Sequence, residues 1–260
     1  MRSLLLNINP DPGHPARLAA AIALAKSCGG HVTCLQTLVA PLAIGDPEAA
    51  VIVPEVMAAT EWSASALREE VEAQLAAAGL GCSWIQLYGD PATIIVSHSR
   101  LADVVILTAE GSYPSVGSVV LHARIPALVT PEQRGGFDTS APVLIAWNGS
   151  HPCANALRAS LPLLHGAEAV HILSVDSGNE KFTAARASDY LAHHAITAEV
   201  HWLDSEGKPV ADMILDFARH SAAGMIVAGA FGHNRIREML LGSVTRALLK
   251  GIPRPLLLAH

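Results

Sequence analysis

Three glycines and a serine punctuate one short segment near the carboxyl end of the chain. Gly229 and Gly232 have two residues between them, nine more separate Gly232 from Gly242, and Ser243 follows directly. Glycine lets a ligand approach the backbone closely and tolerates positive φ angles. A helix starting at Gly242–Ser243 would present free backbone N–H groups and a hydroxyl to an anion, because the amino end of a helix favours negative charge. The spacing therefore fits a loop that holds the phosphates of a nucleotide.

Arg235 and Arg237 lie inside the same segment and could add positive charge, and His233 could be a solvent-facing loop residue or a weak phosphate contact. Each feature alone also has an ordinary structural explanation. Gly229 could be a close-packed strand end, and Ser243 could be a plain helix N-cap. Neither a GxxxxGK nor a GxGxxG pattern occurs, so the two common phosphate-binding fingerprints do not apply. Only the combined spacing supports a nucleotide site.

Short apolar runs alternate with helical patterns through the second half of the chain. Strands buried on both faces of a parallel sheet read as continuous apolar runs, and βα alternation is typical of such a sheet with helices on both faces. The predicted strands are Val143–Trp147, Ala169–Val175, Ala198–Leu203, Met225–Ala230 and Pro255–Ala259. Helical patterns lie between them.

The first half repeats this order. Asp103–Thr108 corresponds to residues 224–229, and Gly117-Ser118 corresponds to Gly242-Ser243. Its predicted strands are Leu4–Ile8, His31–Leu38, Ser83–Leu87, Asp103–Thr108 and Pro126–Thr130, with helices at Pro15–Lys26 and Trp62–Ala78 and an insertion at Val39–Thr60. The duplication predicts two domains, residues 1–131 and 142–260, joined by a linker at 132–141 whose Gly, Ser, Thr and charged residues are typical of a loop.

The switch point of such a sheet is the expected position of a ligand. Asn148-Gly149-Ser150 follows the first strand of the second half, and the glycine segment follows its fourth strand. If those two strands are neighbours, both loops line one crevice at the carboxyl ends of the strands.

The pattern Gly229-x2-Gly232-x9-Gly242-Ser243 resembles the ATP-binding signature of the universal stress protein family. The Asn148-Gly149-Ser150 turn and Gly207-x-Pro209 before the third helix add to this resemblance, and the chain as a whole resembles a tandem member. The resemblance implies an α/β fold of two doubly wound domains. Each would have a five-stranded parallel sheet of order 3-2-1-4-5 with helices on both faces, and the halves would pack through their last strands.

The resemblance also implies a stress-response or regulatory protein that binds ATP, with AMP or ADP as alternatives and Mg²⁺ as a companion of ATP. Asn148 stands where the family usually has Asp. Compared with Asp, the Asn side chain keeps a hydrogen-bond acceptor, adds donors and lacks the negative charge. Val175 matches the position of a backbone contact to adenine. The implied binding residues are Asn148, Gly149, Val175, Gly229, Gly232, His233, Arg235, Gly242, Ser243 and Val244.

The first half departs from this signature. Thr108 stands where Gly229 stands, only five residues separate Gly111 from Gly117, and Glu110 adds a charge that repels phosphate. We therefore expect one ATP per chain, with the first half acting as a packing partner. The alternative is a shortened loop that still holds a mononucleotide at Gly117.

No catalytic residue is predicted, since the only acids near the expected phosphates, Asp176 and Glu238, have ordinary surface explanations. Three functions stay open at this point: a nucleotide-binding stress or regulatory protein, which we favour, a slow nucleotide hydrolase, and an interaction module without nucleotide.

Composition narrows the remaining possibilities. The 260 residues are 51% hydrophobic and 15% charged, which predicts a large aliphatic core, and the net charge of −6 gives no basic surface for nucleic acid. No apolar run has the length of a membrane helix or a secretory signal.

The four cysteines form no CxxC pair, so we expect a reduced, cytoplasmic protein. The thirteen histidines include no ligand-spaced pair such as HxxxH, so no metal is expected. The expected partner is a nucleotide, with no nucleic acid and no membrane. The two halves are expected to form an intramolecular pseudo-dimer, whereas a further homodimer stays open and the protein partner is unknown.

Overall fold

One ten-stranded sheet runs through the molecule. The computed structural model describes residues 1–39, 49–109, 115–132, 136–176, 181–231, 242–250 and 253–260, with the backbone alone for residues 49–55. In the first half the strands are β1 Ser3–Ile8, β2 His31–Leu38, β3 Cys82–Tyr88, β4 Val104–Thr108 and β5 Ala127–Thr130. In the second half they are β6 Val143–Ala146, β7 Val170–Val175, β8 Glu199–Leu203, β9 Met225–Gly229 and β10 Leu256–Ala259.

Helices cover both faces of this sheet. They are α1 His14–Cys28, α2 Ala49–Ala77, α3 Pro91–His98, α4 Val116–Ala123, α5 His151–Leu164, α6 Ala184–His193, α7 Val210–His220 and α8 Ser243–Lys250. One core layer joins α1, α2, α5 and α6 to one face, and a second joins α3, α4, α7 and α8 to the other. Successive strand residues enter opposite layers, as Leu4 and Leu6 enter the first layer and Leu5 the second.

The strand order confirms the predicted fold. The order is β3-β2-β1-β4-β5 followed by β10-β9-β6-β7-β8, so each half has the order 3-2-1-4-5 with every internal pair parallel. The last strands, β5 and β10, pair antiparallel, with Leu257 opposite Leu128. The halves therefore share one continuous ten-stranded sheet instead of forming two separate sheets. The domain boundaries at residues 131 and 142 stay a prediction.

Helix α2 differs from its prediction. It begins at Ala49 instead of Trp62, so much of the predicted insertion is helical, including the backbone at Pro54. The prediction gave weight to the prolines of this region because proline disfavours a helix interior. The inner face of α2 is anchored farther along, where Val71 and Leu75 are fully buried.

The predicted linker contributes to the core over its described part. Phe137 is buried and belongs to the layer formed with α1 and α5. Asp138 accepts hydrogen bonds from the backbone N–H and the hydroxyl of Ser140 (2.9 and 2.7 Å), and the Ser140 carbonyl accepts from the N–H of Glu168 at 2.7 Å. Residues 136–141 are thus packed against the second half.

None of the described helices combines the length and apolarity that a membrane crossing requires. Cys28, Cys34, Cys82 and Cys153 are all free thiols.

Candidate functional site

The first and fourth strands of the second half are neighbours, as the crevice hypothesis requires. Strand β6 pairs with β9, placing Ala146 opposite Ala228, and also with β7, placing Ala146 opposite Leu173. Because these strands are parallel, the loops that follow them leave the same edge of the sheet. The segments after Ala146 and after Ala228 therefore begin side by side.

A tight turn after β6 leads directly into α5. The Asn148 side-chain oxygen accepts a hydrogen bond from the N–H of Ser150 at 3.0 Å, and Gly149 has a φ of 72°. That φ lies in the left-handed region that favours glycine. The Ser150 hydroxyl then accepts from the N–H of Cys153 at 3.3 Å and caps the helix. The amide oxygen of Asn148 is thus already engaged in a hydrogen bond within this turn.

Gly229 has a structural reason to be glycine. A Cβ at this position would lie 2.5 Å from the backbone nitrogen of Cys153 and 2.7 Å from the carbonyl carbon of Pro152. Both atoms belong to the backbone of α5, which cannot move away as a flexible side chain could. The end of β9 and the first turn of α5 are therefore packed backbone against backbone, and a ligand is not needed to explain this glycine.

The start of α8 lies beside the end of β9. The Thr245 hydroxyl donates to the Gly229 carbonyl at 3.3 Å, and Thr245 is buried. Gly242 and Ser243 are exposed, and a Cβ on Gly242 would meet no atom within 4 Å. The neighbouring Val244 is half-buried and packs against the core layer of α8. The helix start is therefore open to solvent, yet fixed to the sheet.

Thr245 was not among the predicted residues. It follows Ser243 by two positions, and its side chain lies on the inner face of α8 with Leu248 and Leu249. The signal that could have identified Thr245 in the sequence is a hydroxyl side chain on the otherwise apolar face of the predicted helix.

Gly232, His233 and Arg235 lie in residues 232–241, outside the described residues. Their predicted role in the phosphate loop stays a prediction.

Val175 ends β7 and is half-buried against the core layer of α7 and α8. The next residue, Asp176, donates its N–H to the Leu203 carbonyl at 2.8 Å and accepts from the N–H of Ser205 at 2.8 Å. The Asp176 carboxylate therefore ties together the loops after β7 and β8. The sequence favoured a helix-capping or solvated residue; Asp176 is exposed, but its carboxylate bonds to a neighbouring loop and caps none of the described helices.

The corresponding crevice of the first half is filled by an arginine. Arg17 is fully buried in α1, and its two terminal nitrogens each bind one carboxylate oxygen of Asp11 at 2.8 Å. It also donates to the carbonyls of Asn7 and Asn9 and to the hydroxyl of Thr108. One guanidinium thus joins the ends of β1 and β4, the strands that correspond to β6 and β9 of the second half.

Equivalent positions in the second half carry small residues. Arg17 is the fourth residue of α1, and the fourth residue of α5 is the half-buried Ala154. Thr108 ends β4 as Gly229 ends β9. A Cβ on Gly13 would lie 2.4 Å from the Thr108 side chain. The first half therefore places its glycine at the helix start and its larger residue on the strand, and the second half does the reverse.

His14 lies next to this network. It is buried, and neither ring nitrogen has a hydrogen-bond partner among the residues that the structure describes. Burial is the main cause that lowers the pKa of His14 below its usual value of 6.5, and the nearby Arg17 charge lowers the pKa further, against opposing effects of Asp11 and Glu70. His14 is therefore held neutral beside a buried ion pair.

A family model matches the second half of the chain. Residues 140–260 match the model described as the Universal stress protein family. A universal stress protein from Synechocystis sp., Slr1230, is 29% identical over 176 residues, which cover 60% of this chain and 57% of that protein. The aligned part therefore spans little more than half the length of this relative.

Solved structures agree on the fold. A universal stress protein from Archaeoglobus fulgidus aligns with a TM-score of 0.78 at 19% identity, over 98% of this chain and 97% of that one. A second structure, described as a putative universal stress protein from Pseudomonas aeruginosa, aligns with a TM-score of 0.64 at 17% identity, over 100% and 93% of the two chains. At these identities the likeness shows that the whole chain, with both halves, has the architecture of these proteins.

Proposed function

We propose, from the premise that the chain belongs to the universal stress protein family, that its second half binds an adenine nucleotide and that ATP is the ligand. In this proposal the protein acts in stress response or regulation through the bound nucleotide. The observation that carries the proposal is the start of α8. Gly242 and Ser243 are exposed there, and Thr245 holds the helix against the end of β9.

The phosphates would lie at this helix start. The first N–H groups of a helix have no partner inside the helix, and the helix dipole favours negative charge at that end. The Ser243 hydroxyl is in position to add a donor, and Gly242 leaves open space for a phosphate oxygen. Gly232, His233 and Arg235 would complete the phosphate loop, and Mg²⁺ would accompany a triphosphate.

The nucleoside would lie toward β6 and β7. Gly149 gives the turn after β6 its left-handed backbone, and Val175 ends the neighbouring strand. The amide nitrogen of Asn148 would donate to the ribose or the base, since its amide oxygen already accepts from Ser150.

The first half would bind no ATP. Arg17, Asp11 and Thr108 fill the region between β1 and β4 with a hydrogen-bonded ion pair. Opening that region would leave a buried guanidinium or carboxylate without its partner, which is costly. The proposal therefore specifies one nucleotide per chain.

Calorimetric titration of the full chain with ATP, ADP and AMP tests the proposal. We expect one ATP per chain, and we expect the Gly232→Val variant to lose that binding while its circular dichroism is unchanged, because the added side chain enters the phosphate path. The matched control is Gly111→Val, at the corresponding position of the first half, which should bind ATP as the wild type does.

Two results would contradict the proposal: no heat of binding with any adenine nucleotide, or equal ATP affinity in wild type and Gly232→Val. A stoichiometry near two would show that the first half also binds. Phosphate release measured in the same samples with Mg²⁺ separates a binding protein from a hydrolase, and we expect turnover well below the usual enzyme range of about 1 to 1,000 per second.

A further inference from the structure

Two histidines and a glutamate meet on one face of the sheet at strands β7 and β8. His171 is the second residue of β7 and lies directly opposite Glu199 in the parallel register, and His201 follows Glu199 by two positions. Because side chains alternate between faces along a strand, Glu199 and His201 point to the same side of the sheet as His171. The register therefore brings three metal-ligating groups together.

The distances between their ligand atoms are close to those of a coordination sphere. His171 Nδ1 lies 3.1 Å from His201 Nε2 and 3.5 Å from a Glu199 carboxylate oxygen, and His201 Nε2 lies 3.7 Å from the same oxygen. Zinc bonds of about 2.0–2.2 Å in tetrahedral geometry place neighbouring ligand atoms roughly 3.3–3.5 Å apart. All three atoms thus fit one ion after adjustments of a few tenths of an ångström.

The surroundings hold the histidine rings in place. Phe217 of α7 contacts both, with ring centroids 6.0 Å from His171 and 4.7 Å from His201. The His171 side chain is only 13% exposed, whereas that of Glu199 is 71% exposed. The three groups therefore have an apolar wall on one side and an opening to solvent on the other, which leaves room for a water as fourth ligand.

We propose that His171 Nδ1, His201 Nε2 and the Glu199 carboxylate bind one divalent transition-metal ion of the zinc type. Imidazole ligands select zinc, copper, nickel or iron over magnesium and calcium, which prefer oxygen. Three protein ligands and an open fourth position match the usual arrangement of exposed zinc sites. Nothing in the sequence spacing pointed to this site, since His171 and Glu199 are far apart along the chain.

The site is separate from the nucleotide crevice. His171 and Val175 lie four positions apart on β7, which corresponds to about 13 Å along a strand. The metal is therefore not the Mg²⁺ that would accompany ATP. Strand β8 is the last strand of the sheet, so the ion would link this edge strand to β7 by bonds additional to the backbone ladder.

The competing explanation is a simple hydrogen bond between the two rings. One proton between His171 Nδ1 and His201 Nε2 also accounts for their 3.1 Å distance, with Glu199 solvated nearby. A metal ion would displace that proton, because the same two nitrogens would become its ligands. The two explanations therefore differ in whether the protein takes up an ion with a defined stoichiometry.

Zn²⁺ titration of the metal-free full chain, without a histidine tag and against a chromophoric chelator, distinguishes them. We expect one tight site per chain and at least a tenfold loss of affinity in His201→Ala and in Glu199→Gln, both at accessible positions. Co²⁺ added in place of Zn²⁺ should give the visible absorption of a tetrahedral or five-coordinate ion. Zn²⁺ should also raise the melting temperature of the wild type, because the ion binds the folded state.

His193→Ala is the matched control, since it removes an exposed histidine of α6 outside the cluster, and it should bind Zn²⁺ as the wild type does. The Gly232→Val variant should also retain the metal, which separates this site from the proposed nucleotide site. Absence of a stoichiometric Zn²⁺ site would overturn the proposal, as would an affinity that His201→Ala and Glu199→Gln leave unchanged. An equal loss of Zn²⁺ affinity in His193→Ala would show that Zn²⁺ binds only to scattered surface histidines, which would also overturn the proposal.

Discussion

Replacement of Arg17 by methionine is expected to lower the free energy of unfolding by about 3–5 kcal/mol, the range for removing one partner of a buried ion pair. Methionine approximates the length of the arginine stem without supplying a donor, so the change removes charge and hydrogen bonds more than volume. It leaves the Asp11 carboxylate and the Thr108 hydroxyl without the guanidinium that binds them.

The structure places the effect in this range for two reasons. Arg17 is fully buried, and the Asp11 side chain is only 21% exposed, so solvent cannot fully replace the lost partner. Arg17 also donates to two backbone carbonyls, those of Asn7 and Asn9, which would be left without that donor. The individual bonds are not summed, because folding exchanges them for bonds to water and their net values are smaller.

Urea unfolding followed by circular dichroism measures the change. The matched control is Arg68→Met, which breaks the Arg68–Glu72 pair on the surface of α2, where the side chains are 49% and 40% exposed. That pair should contribute only about 0.3–0.5 kcal/mol, and the cation–π contact of Arg68 with the Trp84 ring, 5.5 Å from the ring centroid, about 0.5–1 kcal/mol. A double-mutant cycle with Asp11→Asn should show strong coupling to Arg17. If Arg17→Met costs no more than the Arg68 control, the buried network does not stabilise the first half and the reasoning fails.

Two further predictions concern single positions near the crevices. Gly229→Ala should destabilise the protein by about 1–3 kcal/mol in the same urea assay, because the added Cβ would lie 2.5 Å from the Cys153 nitrogen. The control is Gly242→Ala, which has open space around the added Cβ and should change the free energy of unfolding by no more than about 0.5 kcal/mol. Because the pKa of His14 is lowered in the folded state, the unfolded chain binds its proton first, and stability is lost as the pH falls below the unfolded pKa of about 6.5. His14→Leu should therefore show a smaller loss than the wild type between neutral and mildly acidic pH, and an unchanged pH slope would contradict this.

Most of the fold could be predicted from the sequence because its central strands are mostly apolar and buried. The five runs of the second half each contain an observed strand, from Val143–Ala146 to Leu256–Ala259, and the repeat located those of the first half. Two features escaped prediction: the helical backbone of residues 49–61, most of which lay in the predicted insertion, and the buried Phe137. The burial of Phe137 depends on packing against distant elements, which local propensity does not encode.

The sequence predicted that the loops after β6 and β9 are neighbours, but not the side-chain contacts around them. The adjacency of β6 and β9 followed from the strand order, and the Thr108 difference between the halves was visible in the repeat. The contacts that decide the geometry cross long stretches of chain, however, as Arg17 to Thr108 and Thr245 to Gly229 do. Such contacts depend on side-chain direction in the folded protein, so residue types and spacing alone could not reveal them.

The two halves pack the ends of their first and fourth strands differently. In the first half, Gly13 at the helix start makes room for Thr108, and Arg17 then bonds to that threonine and to Asp11. In the second half, glycine moves to the strand end at Gly229, the helix start carries Ser150, and no arginine occupies the fourth position of α5. Opening the space between β1 and β4 would therefore require several coordinated changes, since removing Arg17 alone leaves Thr108 in place and leaves the Asp11 carboxylate with the Gly13 N–H but without its cation.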